Sequence, residues 1–341
     1  MKILFIGGTG TISLAISRRL AESGHELFLF NRGNKNTLLP DAVHLFCGDI
    51  HDEADAARLL EGHSFDVAAD FIAFEPSDIE RDFRLFRDKA RQFIFISSAS
   101  AYQKPPVHYI VTESTPLSNP YWRYSRMKID CEELLMNLFR SEGFPVTIVR
   151  PSHTYAAGSV PLALHGAKGP WQILSRMRRE EPVIIPGDGS SLWTATHSDD
   201  FARGFIGLMA NPHAIGHAVH ITGDEVLSWT QIHEIVAAAL GVRLNPLYIP
   251  ATALARAGKK YGYDFEGSLL GDKAHSAVFD NTKLKRLVPG FAAAKRFDQG
   301  VAESISYLLS HPERQIEDSD FEIFCDEVSR VYSTAAASFP G

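Results

Sequence analysis

The sequence predicts an α/β fold in which a doubly wound, Rossmann-like parallel sheet is followed by a smaller C-terminal substrate lobe. Three observations predict it. Short apolar runs alternate with amphipathic stretches over residues 1–150, glycines follow the first apolar run directly, and shorter elements punctuated by glycine and proline begin at Pro151. Strands that alternate with helices indicate a parallel sheet covered on both faces.

Six apolar runs predict strands, and four stretches with helical periodicity predict helices. The predicted strands are Ile3–Ile6, Glu26–Phe30, Val43–Phe46, Val67–Phe71, Phe93–Ser97 and Thr147–Arg150. The predicted helices are Thr11–Ser23, Asp52–Glu61, Ser77–Ala90 and Trp122–Ser141. We expect a dinucleotide-binding domain over residues 1–150, a substrate lobe over 151–312 with some segments returning to the sheet, and a helical tail over 313–341.

The tail carries its own helical pattern. Its apolar positions recur at helical spacing between Ile316 and Ala335, and acidic residues precede them, as suits a helix N-terminus. The tail is expected either to dock on the body of the protein or to form a subunit contact or a cover over the site.

Composition narrows the class of protein. The chain has 341 residues, more than one compact domain usually needs, and its net charge of −7 argues against a nucleic-acid partner. No apolar run reaches the roughly 18 residues of a membrane span. Cys47, Cys131 and Cys325 are isolated, which fits neither a disulfide framework nor a metal site and suits a cytoplasmic protein.

The first glycine cluster predicts a phosphate-binding turn. Gly7-Gly8-Thr9-Gly10-Thr11-Ile12 follows the first strand and opens a helix. Glycines let the backbone approach a pyrophosphate, and a helix N-terminus favours its charge. We therefore expect cofactor contacts from Gly7, Thr9, Gly10, Thr11 and Ile12. The alternative is a plain strand-to-helix turn.

The ends of the next two strands bear on the choice of cofactor. An acidic residue after the second strand binds the ribose of NAD, whereas an arginine can hold the 2′-phosphate of NADP. Asn31 and Arg32 stand there, which favours NADP over NAD unless Arg32 is only a solvated loop residue. Asp49, followed by Ile50, is placed to accept from the adenine amino group, and capping of a turn is the competing interpretation.

Tyr124 and Lys128 form the chemical centre of the prediction. Four residues apart, they lie on one face of a helix. An ammonium beside a phenol lowers the phenol pKa from about 10. Such a tyrosine can exchange a proton with a substrate hydroxyl while a nicotinamide exchanges the hydride. Without other motifs, a tyrosine and a lysine at this spacing would more often lie on a solvated face of a helix.

These motifs together resemble the extended short-chain dehydrogenase/reductases, also called the NAD-dependent epimerase/dehydratase family, over about residues 1–310. The anchors are Gly7-Gly8-Thr9-Gly10, Gly48-Asp49, the segments 97–102 and 112–114, Tyr124 to Lys128, Arg150-Pro151 and the segment 197–200. The resemblance implies that Tyr124 is the acid/base and also contacts the cofactor, that Lys128 lowers its pKa and holds the nicotinamide ribose, and that Ser98 binds the substrate oxygen. Pro151 and His153 would lie beside the nicotinamide amide, although His153 could also be a structural histidine.

Two departures from the family pattern bear on the reaction. Members that eliminate water carry an acidic residue where this chain has Ser100, so dehydration is disfavoured, because elimination needs paired proton transfers. Trp193 stands where nucleotide-sugar epimerases place an arginine that clamps a diphosphate. This weakens the case for a UDP- or dTDP-sugar and leaves a smaller sugar, a sugar acid or another hydroxy-carbonyl compound open, unless Arg176, Arg178 or Arg179 replaces that arginine. Ser100, Tyr102, Trp193 and His197 are the predicted substrate contacts.

The predicted function is an NAD(P)-dependent oxidoreductase or epimerase that acts on a sugar-like hydroxyl or carbonyl compound. The alternative is a non-catalytic NAD(P)-binding sensor or an RNA-associated scaffold, since Asn31-Arg32-Gly33 and Asp70-Phe71-Ile72 resemble the branch that includes chloroplast stem-loop binding proteins. The resemblance also implies a homodimer through the helix Trp122–Ser141. Otherwise the apolar residues of that helix pack on the sheet.

Overall fold

The computed structural model describes residues 1–34 and 38–338 and has a seven-stranded parallel sheet at its centre. The strands are β1 (Lys2–Ile6), β2 (Glu26–Asn31), β3 (His44–Cys47), β4 (Val67–Asp70), β5 (Phe93–Ile96), β6 (Ile110–Val111), β7 (Val146–Pro151), β8 (His153–Tyr155), β9 (Val183–Pro186), β10 (Leu192–Trp193), β11 (Ala195–His197), β12 (His217–Ile221), β13 (Leu227–Ser228), β14 (Pro246–Ile249) and β15 (Val278–Phe279). The sheet order is β12-β7-β5-β4-β1-β2-β3, and every neighbouring pair is parallel.

Helices cover both faces of this sheet. They are α1 (Ser13–Glu22), α2 (Glu53–Leu59), α3 (Pro76–Phe86), α4 (Arg123–Glu142), α5 (Trp171–Arg178), α6 (Ser198–Leu208), α7 (Trp229–Leu240), α8 (Ala251–Lys260), α9 (Thr282–Leu287), α10 (Phe297–Ser310) and α11 (Ser319–Ala337). Successive side chains of a strand point to opposite faces, so Ile3 and Phe5 pack with α1 and α6, whereas Leu4 and Ile6 pack with α2, α3 and α4. The predicted doubly wound α/β fold is confirmed.

The residues after Pro151 divide between the sheet and a second core. β12 pairs with β7 at the edge of the sheet, and α6 packs against α1, so both belong to the sheet layers. Much of the remainder forms the lobe, built around a separate apolar core with α5, α7, α8 and α10. A π-helical segment, Glu266–Lys273, also belongs to this lobe.

The tail helix α11 docks on the lobe. Phe321, Phe324 and Cys325 are fully buried in the lobe core. Beside them, the buried Arg176 of α5 places Nη1 2.7 Å from Asp326 Oδ1 and 3.0 Å from Glu322 Oε1. The tail is therefore held by an apolar face and an ion-pair cluster. Within the described residues, no helix is both long and apolar enough to cross a membrane.

Candidate active site

A cleft of about 350 Å³ opens at the carboxyl ends of the central strands, between the sheet and the lobe. Ligands of open α/β sheets bind at this edge. The cleft is lined by Thr11, Ile12, Ser98, Ala99, Ser100, Trp122, Tyr124, Pro151, Ser152, His153, Thr154, Trp193, Asp272 and Lys273. Thr11, Ile12, Ser98, Ser100, Tyr124, Pro151, His153 and Trp193 belong to the predicted site, so residues far apart in sequence converge here.

The turn between β1 and α1 has the geometry of a phosphate cradle. Gly7 and Gly8 have φ values of +99° and +92°, and a Cβ at Gly8 would lie 2.4 Å from Leu29 Cδ2. The Gly10 amide donates to Ser13 Oγ at 2.9 Å, and the first turn of α1 carries no acidic residue. These residues fit the pyrophosphate of a dinucleotide, because glycines without side chains let backbone N–H groups at the helix N-terminus approach the phosphates.

The predicted nucleoside-binding residues lie at the ends of β2 and β3. Asn31 Oδ1 accepts from the Gly33 amide at 2.7 Å, and its buried Nδ2 has no partner among the described residues. The side chain of Arg32 is exposed. Asp49 caps its own turn, accepting from the His51 amide at 3.1 Å. Ile50 is a core residue, 2% exposed, so its side chain does not reach the surface where a nucleoside would lie.

Lys128 is held by backbone carbonyls. Its Nζ donates to the carbonyl oxygens of Ala73 at 2.7 Å and Ile96 at 2.8 Å, and it lies 5.9 Å from the centroid of the Tyr124 ring. Burial lowers the pKa of Lys128 to about 8. The lysine is thus beside the tyrosine, as predicted, but its hydrogen bonds go to the chain after β4 and to the end of β5.

The pKa of Tyr124 is raised, because the phenol is buried; a hydrogen bond from Ser98 acts in the opposite direction. The effect of Lys128 on the Tyr124 pKa stays a prediction, since burial dominates the pKa of this phenol. The lysine ammonium is committed to two carbonyl oxygens, and the hydroxyl of Ser98 is the group that favours the phenolate.

A chain of three hydroxyls supports Ser98. Ser125 Oγ on α4 donates to Ser100 Oγ at 2.7 Å, and Ser100 Oγ lies 2.9 Å from Ser98 Oγ. Because Ser100 accepts from Ser125, its own proton is available to Ser98, whose proton can then point toward the phenol or a substrate oxygen. Ser100 lines the cleft but is only 4% exposed, so its main contact there is with Ser98, which it orients.

The structure does not bring Tyr102 or His197 to the cleft, which corrects the substrate contacts predicted for them. Tyr102 is 1% exposed, and its hydroxyl bonds to His220 Nδ1 at 3.0 Å. His197 Nδ1 accepts from the Asp199 amide at the start of α6, and its ring packs edge-on to Tyr155. Both positions follow strands or turns that end near the cleft, but their side chains point into the core.

His153 does line the cleft. Burial lowers its pKa well below the usual range, and the charges of Lys273 and His165 act in the same direction. The imidazole is therefore neutral at neutral pH and can serve as a hydrogen-bonding group.

Trp122, Asp272 and Lys273 are cleft residues that the sequence analysis missed. The segment Glu266–Lys273 packs directly on Trp122: a Cβ at Gly267 would lie 2.2 Å from Trp122 Cδ1, and one at Gly271 would lie 2.9 Å from Trp122 Cβ. Glycines four residues apart, ahead of an Asp-Lys pair, are the signal that could have indicated this close approach.

Comparisons with known proteins agree with this geometry. The model of the NAD dependent epimerase/dehydratase family matches residues 83–222. The 2′-dehydrokanamycin reductase of Streptomyces kanamyceticus is 26% identical over 291 residues, 85% of this chain and 80% of that protein. Chloroplast stem-loop binding protein of 41 kDa b from Arabidopsis thaliana is 28% identical over 254 residues, 70% of this chain and 63% of that protein.

The fold also matches solved structures. UDP-glucuronic acid 4-epimerase from Bacillus cereus, in complex with UDP-glucuronic acid and NAD, superposes with a TM-score of 0.72 at 20% identity, covering 91% of this chain and 99% of that one. The resemblance predicted from the motifs is confirmed: the chain is similar to the NAD-dependent epimerase/dehydratase family, and the proteins it matches include a reductase, an epimerase and dehydratases.

Proposed function

We propose that the protein is an NAD(P)-dependent oxidoreductase or epimerase that acts on a sugar-like hydroxyl or carbonyl compound, and that its protonated Tyr124 is suited to the reduction of a ketone. The observation that carries this proposal is the convergence of Tyr124 and Ser98 on one cleft with the phosphate cradle, with Lys128 directly behind them.

The cofactor is proposed to lie along the carboxyl edge of the sheet. The cradle from Gly7 to Ile12 would hold its pyrophosphate, and Pro151 and His153 would border its nicotinamide. When bound, the nicotinamide supplies or accepts the hydride. NADP is the preferred form, because the exposed Arg32 can hold a 2′-phosphate and Asn31 offers no carboxylate to a ribose.

Proton transfer is assigned to Tyr124. Since burial raises its pKa, the phenol carries its proton at neutral pH and can donate it to a substrate carbonyl oxygen as that oxygen becomes a hydroxyl. Ser98 donates a hydrogen bond to the same oxygen, with its orientation set by Ser100 and Ser125. In the oxidative direction the phenolate takes the hydroxyl proton instead.

Two features of the cleft favour a small substrate. Its volume of about 350 Å³ is at the low end for ligand pockets, which usually span roughly 300–1,000 Å³. Trp193 provides an apolar wall in place of the diphosphate-clamping arginine of nucleotide-sugar epimerases. Elimination of water is not proposed, because Ser100 cannot ionise usefully where dehydratases carry an acid.

The non-catalytic alternative, a sensor or an RNA-associated scaffold, would not need the tyrosine and lysine. Their presence at one cleft supports the enzyme. A cytoplasmic homodimer through α4 is also proposed: Leu135 is buried against the sheet, whereas Leu134, Leu138 and Phe139 keep part of their surface exposed. Light scattering that gave a monomer at micromolar concentration would contradict the dimer.

The test is calorimetric titration of dialysed protein with NADP(H) and NAD(H), together with analysis of the denatured supernatant for co-purified nucleotide. Exchangeable binding with NADP preference, and net absorbance change at the reduced-nicotinamide band with sugar ketones, support a reductase. Tightly retained NAD without net absorbance change would favour epimerisation. Absence of dinucleotide binding would overturn the proposed function.

A further inference from the structure

The lobe contributes one wall of the cleft, made by Trp193, Asp272 and Lys273, which we call the lobe wall. We propose that the lobe wall binds a negatively charged group, a carboxylate or a phosphate, on a hydroxyl-bearing sugar-like substrate. Lys273 is the cation, Trp193 Nε1 is a neutral donor to the same group, and Asp272 accepts from a neighbouring hydroxyl. This inference rests on the proposed function, since it names the substrate class of the same cleft.

The first argument comes from two unsatisfied polar atoms. Trp193 is 3% exposed and Asp272 is 9% exposed. Within residues 1–34 and 38–338, neither Trp193 Nε1 nor Asp272 Oδ1 has a hydrogen-bond partner. Buried donors and acceptors in folded proteins are nearly always paired, because leaving one unpaired costs its hydration. One unpaired donor and one unpaired acceptor on the same wall are complementary to a ligand that offers both an acceptor and a hydroxyl.

The second argument is the charge of Lys273. Lys273 lines the same cleft as His153 and Asp272, and its charge acts on the pKa values of both. No carboxylate of the described chain comes within ion-pair distance of Lys273 Nζ. By contrast, Lys259 and Lys260, on the same lobe, each pair with a glutamate at 2.7 Å.

Burial lowers the pKa of Lys273, which means that its charged form is disfavoured where it stands. A second lysine, the buried Lys104, also acts on the pKa of Asp272. Two cations therefore accompany one carboxylate at this end of the cleft. An incoming anion would stabilise the Lys273 ammonium, whereas an additional cation would be repelled by it.

The third argument is that the wall is held in place. The carbonyl of Lys273 accepts from Trp229 Nε1 at 2.8 Å, and the carbonyl of Gly271 accepts from Asn119 Nδ2 at 2.7 Å. The rings of Trp193 and Trp229 lie 5.8 Å apart. Because the backbone on both sides of Asp272 is anchored, the three side chains form a preorganised surface.

The test measures binding of four probes to the full chain by calorimetry, with and without reduced cofactor. The probes are glucose, glucuronate, glucose 6-phosphate and glucosamine. We expect glucuronate or glucose 6-phosphate to bind about tenfold or more tightly than glucose, as a charge-assisted contact to a partly buried lysine provides. Comparison of the two anions separates a carboxylate from a phosphate.

Three variants identify the residues responsible. Lys273→Met should reduce the preference for the anion to within about twofold, and Lys273→Arg should preserve it, because the guanidinium keeps the charge. Trp193→Phe should weaken anion binding by roughly threefold while it keeps the aromatic wall. Lys259→Met is the matched control, since it removes a paired, exposed lysine of the same lobe and should behave as the wild type.

Equal or weaker binding of both anions relative to glucose, preference for glucosamine, an unchanged preference in Lys273→Met, or no binding of any probe would each overturn the proposal. Failure of the proposed function has a different signature. In that case Tyr124→Phe would retain full turnover, or the protein would bind no dinucleotide, while the anion preference without cofactor would still follow Lys273.

Discussion

Arg81 on α3 pairs with Asp70 at the end of β4, with Nη2 3.1 Å from Oδ2, and both side chains are buried. The other oxygen of Asp70 accepts from the amides of Ile72 and Ala73. The carbonyl of Ala73 in turn accepts from Lys128. A buried ion pair thus supports the loop that holds the lysine of the candidate site.

Replacing Arg81 tests this support. Three carboxylates surround the guanidinium, those of Asp70, Asp78 and Asp82. Arg81→Met leaves them buried without their cation and should lower the free energy of unfolding by about 3–5 kcal/mol, measured by urea denaturation. The control is Arg84→Met on the same helix, whose exposed pair with Glu53 is screened by solvent and should leave the free energy of unfolding nearly unchanged. Equal losses in the two variants would contradict the argument.

Tyr124→Phe should lower kcat by roughly 10²–10⁴-fold, because it removes the proposed proton donor and leaves the ring in place. Cofactor affinity should stay within about twofold of the wild type, since phenylalanine keeps the aromatic ring and loses only the hydroxyl. Steady-state kinetics and calorimetry on the same preparation measure both quantities. Tyr121→Phe, three residues earlier in the chain, is the control. If Tyr124→Phe kept full turnover, the acid/base would lie elsewhere.

The pH dependence of ketone reduction should show two steps. Reduction is proposed to need a protonated Tyr124 as the proton donor and a charged Lys128, to which the resemblance assigns the nicotinamide ribose. The Lys128 ammonium, with a pKa of about 8, is lost first as the pH rises, and the proton of Tyr124, whose pKa is raised above its ordinary value, is lost later. The profile of kcat/KM should therefore be level below pH 7 and fall through the Lys128 pKa.

The two steps can be separated with Lys128→Arg. An arginine stays charged over the measurable range, so this variant should lose the step near pH 8 and keep the later decline. The rate of oxidation of the corresponding alcohol should instead rise at high pH, because oxidation needs the phenolate form of Tyr124. A reduction profile that stayed level up to pH 10 in the wild type would contradict the assignment to Lys128.

Six of the seven strands were predictable because they are short apolar runs, and the described order confirms the α/β class, but the edge strand β12 was missed. The ends of the helices were less predictable than the strands. The helix predicted over Ser77–Ala90 runs from Pro76 to Phe86: a capping box between Glu75 and Asp78 sets its start, and Ala90 bridges to Phe65 instead. Local periodicity does not reveal such a contact.

In the candidate site too, local sequence features were predictable and long-range contacts were not. Ser98 and Tyr124 were found because their spacing and order are local features of the chain. The hydrogen-bond partners of Lys128 could not be found from the sequence, because the carbonyls of Ala73 and Ile96 approach it only through long-range packing. Tyr102 and His197 were misassigned for a related reason: sequence places them near strand ends, but only the packing of their rings determines that they face inward.

The hydroxyl chain gives a further prediction. Ser100→Ala removes the link between Ser125 and Ser98, so the Ser98 hydroxyl loses its fixed orientation. We expect kcat to fall by about tenfold, the equivalent of one net hydrogen bond, with little change in KM. Ser114→Ala, at an exposed hydroxyl that pairs with Thr112, is the control for loss of a serine. An unchanged kcat would mean that Ser98 needs no such support.

Cofactor preference depends on Arg32. Since its side chain is exposed at the end of β2, Arg32→Ala should weaken NADP binding by about tenfold or more through loss of a charge-assisted contact to the 2′-phosphate, while NAD affinity stays within about twofold. Calorimetry with both dinucleotides measures the two affinities. Arg91→Ala, which removes a more remote arginine paired with Asp66, controls for the change in net charge. If both affinities fell together, Arg32 would act on the turn as a whole, and the preference for NADP would have to come from other residues.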